Sequence, residues 1–139
     1  MRAIPIITAV LVALVGFAGP ARADDVEDAQ AVIESQIQAF LDDDAEAAYS
    51  YAAPGIRKIY PDTESFFEMV RKGYEPVYRP DNFAFGRSKT LPEGVLVQEV
   101  LISGAEGEDW TALYAMEKQP DGSFKIRGVQ MVKYAAPET

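Results

Sequence analysis

The chain has 139 residues, the length of one domain, and carries 22 Asp and Glu against 13 Lys and Arg, with neither histidine nor cysteine. Its formal charge of −9 repels phosphate backbones and anionic lipid, which argues against nucleic acid or a membrane surface as partner. Without cysteine there are no disulfides, thiolate metal sites or lipidated cysteine, and without histidine the commonest acid/base residue and metal ligand is missing, so neither metal nor cofactor is expected.

Residues 1–23 read as a cleaved signal peptide. Met1 and Arg2 give a positive start, Ile4 to Ala18 is an apolar run, and Ala21-Arg22-Ala23 offers small residues where a signal peptidase reads. The run is shorter than the roughly 20 residues a membrane-spanning helix needs, so no stable anchor is expected after cleavage. The expected mature form, residues 24–139, is a single domain placed in the periplasm or outside the cell. Losing Arg2 and Arg22 leaves 11 basic against 22 acidic residues, a formal charge of −11. A chain of this size buries about 65% of its unfolded surface, enough to be held by its core alone.

Val26, Ala29, Ile33, Ile37 and Phe40 recur at steps of three and four, which predicts a helix over Val26–Leu41 with Val32 and Leu41 widening its apolar face. Asp24 or Asp25 is placed to cap it. Asp42-Asp43-Asp44 breaks the pattern. It lacks the glycine and the alternation of a calcium loop, and a capping box with Asp43 as N-cap and Glu46 is the simpler reading.

A second helix is predicted over Ala45–Ala52, ended by Pro54-Gly55, with Ile56, Ile59 and Tyr60 fitting one further turn. A third is predicted over Thr63–Lys72, capped by Asp62 or Thr63 and stopped near Gly73. The two prolines of Glu75–Pro80 predict an extended connector. Strands are predicted at Phe83–Lys89, Val95–Ser103, Trp110–Lys118 and Phe124–Tyr134, with Pro120-Asp121-Gly122 as a hairpin turn. Phe124 and Ile126 share one parity whereas Val129 and Met131 share the other, so a bulge near Arg127-Gly128 is required to keep all four facing one core.

The reading is an α+β domain, three helices packed on a four-stranded antiparallel sheet. This order resembles the cystatin-like, nuclear transport factor 2-like cone. Ala52-Ala53-Pro54-Gly55-Ile56-Arg57, Met69-Val70-Arg71-Lys72-Gly73-Tyr74, Pro76-Val77-Tyr78-Arg79-Pro80, Trp110-Thr111-Ala112-Leu113-Tyr114 and Gln119-Pro120-Asp121-Gly122-Ser123-Phe124 together resemble an exported bacterial family, the domain of unknown function numbered 4864. The resemblance implies a curved sheet with a pocket beneath the helices, and it implies no activity. Members often carry cysteine where Val129 stands, a departure that points to a small buried apolar residue at that place.

Two functional readings follow. The first is a non-enzymatic module binding a small apolar or anionic ligand, or a protein partner, and forming a homodimer through the sheet. Tyr49, Tyr60, Phe66, Tyr74, Tyr78, Trp110 and Tyr114 come from both halves of the chain, and tyrosine and tryptophan join apolar area to one polar atom. Tyr49, Tyr78, Trp110 and Tyr114 are the expected ligand contacts, with Arg57 and Arg79 orienting an anionic group; the competing reading is core packing and salt bridges. The second is a cofactor-free isomerase or cyclase of the SnoaL-like and ketosteroid isomerase-like kind that the resemblance brings in. Its base would be Glu99, raised in pKa by burial in an apolar strand, with Tyr114 or Tyr49 as hydroxyl donor. Against it stands the reading of Glu99 as a residue on the outer sheet face. No nucleophile elbow, phosphate loop or zinc-protease motif is present.

Overall fold

A computed structural model describes residues 19–133. The predicted apolar leader core and the last residue of the predicted final strand, Tyr134, lie outside them.

The elements in chain order are β1 (Gly19–Pro20), α1 (Ala23–Leu41), α2 (Ala45–Ser50), α3 (Pro54–Ile59), α4 (Thr63–Gly73), α5 (Glu75–Tyr78), β2 (Asn82–Thr90), β3 (Leu96–Ser103), β4 (Asp109–Lys118) and β5 (Phe124–Lys133). The strands form one open antiparallel sheet in sequence order, with β1 a two-residue addition on the β2 edge. The four expected strands are present within one or two residues of their predicted ends. Among the described residues the helices number five: beyond the three predicted, the further turn expected at Ile56–Tyr60 is the helix α3, and α5 is added.

Both extra helices come from proline, for one physical reason. Pro54 and Pro76 sit in the first turn of α3 and α5, where the missing N–H has no partner to lose. The expected extended connector at Glu75–Pro80 is therefore largely a single helical turn, which Arg79, before Pro80, leaves with φ −139° and ψ 66°. Pro54 holds Ala53 extended, so α2 stops at Ser50 rather than Ala52. The freed segment pairs with the outer edge of β5: Ala53 N–H donates to Ile126 O and Ile126 N–H to Tyr51 O, each at 2.8 Å.

Capping also differs in detail from expectation. Helix α1 starts at Ala23 behind Arg22, which makes no side-chain cap, and Asp24 and Asp25 fall in its first turn. At its other end Asp43 adopts a left-handed φ of 54°. Asp44 N–H then reaches Ala39 O and Asp43 N–H reaches Phe40 O, a Schellman closure with aspartate where glycine is usual. The N-cap of α2 is thus Asp44, bonded to Ala47 N, not Asp43. Asp62 caps α4 as expected, through Ser65 N.

The core lies between α1 and the inner sheet face. Ala29, Ile33, Ile37 and Phe40 meet Leu96, Val100, Ile102, Ala112, Met116, Phe124 and Ile126, all buried. Leu41, expected on that face, is instead 39% exposed, because Schellman closure turns the chain at this point. Two sheet irregularities matter. Arg127 is the extra residue of a bulge against Ala115–Met116, as the parity slip required. A second bulge, not anticipated, sets Gly86 and Arg87 opposite the single residue Glu99.

That second bulge is tied from both faces of β3. On the inner side the fully buried Gln98 donates its Nε2 toward Gly86 O (3.2 Å), Arg87 O (3.4 Å) and Glu99 O (2.9 Å), and accepts from Gln30 Nε2 at 3.2 Å. On the outer side the Glu99 carboxylate accepts from Arg87 N at 2.9 Å and pairs with its guanidinium at 2.9 Å. A Cβ at Gly86 would sit 2.8 Å from Glu99 Oε1 and 3.2 Å from its Cβ, so a side chain there would displace the Glu99 carboxylate from this arrangement.

Candidate functional site

The sheet's inner face is not fully covered. Between the helices and β5 lies an open cleft of about 250 Å³. Helix α1 supplies Gln36 and Phe40 to it, α3 and its C-cap supply Ile56, Ile59 and Tyr60, α4 supplies Phe66, Met69 and Val70, and α5 with its flank supplies Tyr74 and Val77. Strand β5 closes it with Ile126, Gly128 and Val129, directly beside the Arg127 bulge. The lining is apolar except for Gln36 and the two tyrosines.

Of the residues singled out from sequence, Tyr60, Phe66 and Tyr74 line this cleft, whereas Tyr49, Arg57, Tyr78 and Arg79 border it without lining it. Tyr49 donates its hydroxyl to Tyr60 O at 2.6 Å and packs on Phe66, ring centroids 5.3 Å apart. Arg57 stacks over the Tyr49 ring and donates to Ala52 O and Tyr49 O at 3.2 and 2.9 Å, satisfying carbonyls at the end of α2. Together they fix α3, a helix with no buried residue of its own, as one wall. Tyr78 meets Phe40 edge-on and donates to Asp43 Oδ1 at 2.6 Å. Arg79 stacks on Tyr78, donates to Phe40 O at the end of α1 and pairs with Asp43 at 2.8 Å. The Tyr78 hydroxyl and Arg79 guanidinium hold the Asp43 carboxyl below its usual range.

Trp110 and Tyr114 lie on β4, away from the cleft. Trp110 borders a separate groove with Phe83, Leu101 and Thr111 at one end of the sheet. Tyr114 is fully buried in register between Gln98 and Val129, its hydroxyl without a hydrogen-bond partner among the described residues, and burial pushes its pKa far up. Glu99 stands on the outer face. Its hydrogen bonds from the Arg87 side chain and backbone lower its pKa, reversing the expected elevation. The carboxylate on which proton abstraction rested is therefore ionised, engaged, and on the opposite side of the sheet from the apolar cleft.

Reasoning from sequence missed Gln36, Met69 and Val129 as lining residues. For Gln36 a signal existed: it sits three residues after Ile33 and four before Phe40, on the apolar face of α1. It is 3% exposed and donates Nε2 to Ala48 O at 3.0 Å.

Among the described residues no helix is long and apolar enough to cross a membrane. A family described as domain of unknown function (DUF4864) matches residues 22–139. No curated protein and no solved structure matches the chain.

Proposed function

We propose a non-catalytic ligand-binding role for this chain, which belongs to the DUF4864 family: the cleft between the helices and β5 takes up a small, largely apolar molecule. The observation that carries this reading is an unfilled apolar space whose walls are fixed by hydrogen bonds. Tyr49 and Arg57 hold α3, and Tyr78 and Arg79 hold the end of α1. A preformed wall limits the ordering cost of binding. Ile59, 71% exposed at the rim, gives a ligand apolar surface to cover. The volume lies just under the range of pockets for drug-sized molecules, so the occupant is compact, of the order of two fused rings or a short acyl chain.

The same reading includes an exported protein with a cone-like, nuclear transport factor 2-like arrangement of helices over the sheet. The short apolar run ending at Ala21-Arg22-Ala23 supports export, and the helices gathered on one sheet face support the likeness. A second reading, a homodimer through the outer sheet face, is favoured by Leu101 and Val132. They flank Thr111 in register and stand 46% and 43% exposed. Sedimentation equilibrium at rising concentration tests it, and a purely monomeric profile discards it.

The test of the binding role is a naphthalene titration followed by methyl NMR. Shifts confined to Ile56, Ile59, Met69 and Val129, abolished in a Val129→Trp variant that fills the cleft, are the expected result. Absence of binding, or shifts spread over the outer sheet face, overturns it.

A further inference from the structure

Gln36 occupies an unusual position in this cleft. Its Nε2 donates to Ala48 O, and since that carbonyl can only accept, the amide orientation is fixed and Oε1 points the other way. Among the described residues no donor reaches Oε1. The side chain as a whole is 97% buried and lines the cleft. A hydrogen-bond acceptor thus stands with one bond unmade in a recess whose other polar lining comes from Tyr60 and Tyr74.

We propose that Gln36 selects, among small apolar molecules, those carrying one neutral hydrogen-bond donor, a hydroxyl or N–H, which it binds through Oε1. The proposal rests on the cleft being a binding site and names what that site prefers. An apolar ligand lacking a donor strips Oε1 of water and leaves it unsatisfied, a loss that a donor-bearing ligand of the same shape avoids. A cationic donor is disfavoured, because the recess has no carboxylate to offset its desolvation. An anionic head group meets an acceptor of the wrong polarity. Recognition through a buried neutral amide discriminates by the presence or absence of one proton on the ligand, the kind of discrimination that apolar contact alone cannot supply.

The experiment compares 2-naphthol with 2-methoxynaphthalene, which keeps the rings and the oxygen but has no donor. Affinities are measured by calorimetry on the full chain, alongside the ¹³Cδ resonance of labelled Gln36. The expected result is about tenfold tighter binding of 2-naphthol, with a Gln36 ¹³Cδ shift on adding it and none on adding the ether. In Gln36→Leu the preference falls to about onefold. Equal affinities in the wild-type protein overturn the inference while leaving the binding role standing, since both probes would still occupy the cleft. A preference that persists in Gln36→Leu overturns it too, by placing the acceptor elsewhere. Failure of both probes to bind overturns the inference and the binding role together. Should Gln36→Leu not fold, the wild-type affinity ratio and the ¹³Cδ shift decide alone: both present supports the inference, either absent rejects it.

Discussion

The bulge at Gly86-Arg87 offers a sharp test of how this sheet is held. Replacing Gln98 by methionine keeps the side-chain volume close to unchanged, so packing against α1 survives and the polar role is isolated. What is lost is the pair of amide hydrogens that serve Gly86 O, Arg87 O and Glu99 O, together with the acceptor for Gln30. A buried carbonyl left unmatched costs about 1–3 kcal/mol. Two effects hold the total down. Strand β2 has only the two residues of β1 on its outer side, so water can reach a slightly opened bulge, and Gln30 is half-buried and can turn to solvent. Methionine also removes the cost of burying an amide. The balance is a loss of about 2 kcal/mol, or about 8 °C in Tm for a domain of this size.

The assay is urea denaturation by circular dichroism, with amide hydrogen exchange on the same samples. A lower midpoint at unchanged slope is expected, because the fold and its buried area persist. Exchange should accelerate at Phe85, Arg87 and Ser88 before it does at Ala112 or Met131, which pair with each other on the far side of β3. A variant within about 0.5 kcal/mol of the wild type, or exchange that rises uniformly, would refute the reasoning. The Gln98 amide would then be a tolerated passenger, not the inner tie of the bulge.

Ile33→Ala, at a fully buried position in the middle of α1, should cost about 2–5 kcal/mol in the same denaturation assay. The Glu99 carboxyl titrates below its unfolded value, so its contribution is present above that value and is lost as pH falls through the lower folded one. The stability gap between wild type and Glu99→Gln should therefore be present at pH 6–7 and close as pH falls below roughly 4, measured by melting across the range. Tyr114→Phe removes a buried hydroxyl that has no partner and should leave stability unchanged or raise it by up to about 1 kcal/mol; a loss above that would reveal a hydrogen bond the hydroxyl makes through water.

The elements whose shape is set by local chemistry were legible. The three-and-four spacing of Ala29, Ile33, Ile37 and Phe40 gave α1, Asp62 gave the start of α4, and the parity slip between Ile126 and Val129 located a bulge. Pro76 misled because proline restricts the residue before it in general but is tolerated within a first helical turn, and which applies depends on where the helix begins. The Gly86 bulge left no parity signal, since Phe83 and Phe85 precede it and only polar residues follow. Gln36 and Gln98 are polar, yet each lies in phase with buried neighbours: Ile33 and Phe40 for one, Leu96 and Val100 for the other. A polar residue in apolar phase is the trace such sites leave in a sequence.

Tyr49, Arg57, Tyr78 and Arg79 show why the candidate site was only half legible. Their types were informative, as each joins a large or charged group to a fixed geometry. Their targets are backbone oxygens of Tyr60, Ala52, Tyr49 and Phe40 and the carboxylate of Asp43, and no side-chain pattern announces a carbonyl that a helix end leaves unpaired. Five helices joined so closely create many such ends, and these four residues satisfy them at the borders of one space. The consequence is a cleft whose walls are pinned by polar contacts around its perimeter while its interior stays apolar. Gly128, on the β5 wall beside the bulge, has open space where a Cβ would stand, so the volume is not there because a larger residue could not fit. A gap left only by poor packing would be expected to slump, because α3 buries no side chain to resist collapse. Arg57 and Tyr49 resist that by tying α3 to α2, while Ala53 at its start is anchored to Ile126 of β5, so the helix is fixed at the edge of the gap by hydrogen bonds rather than by buried side chains.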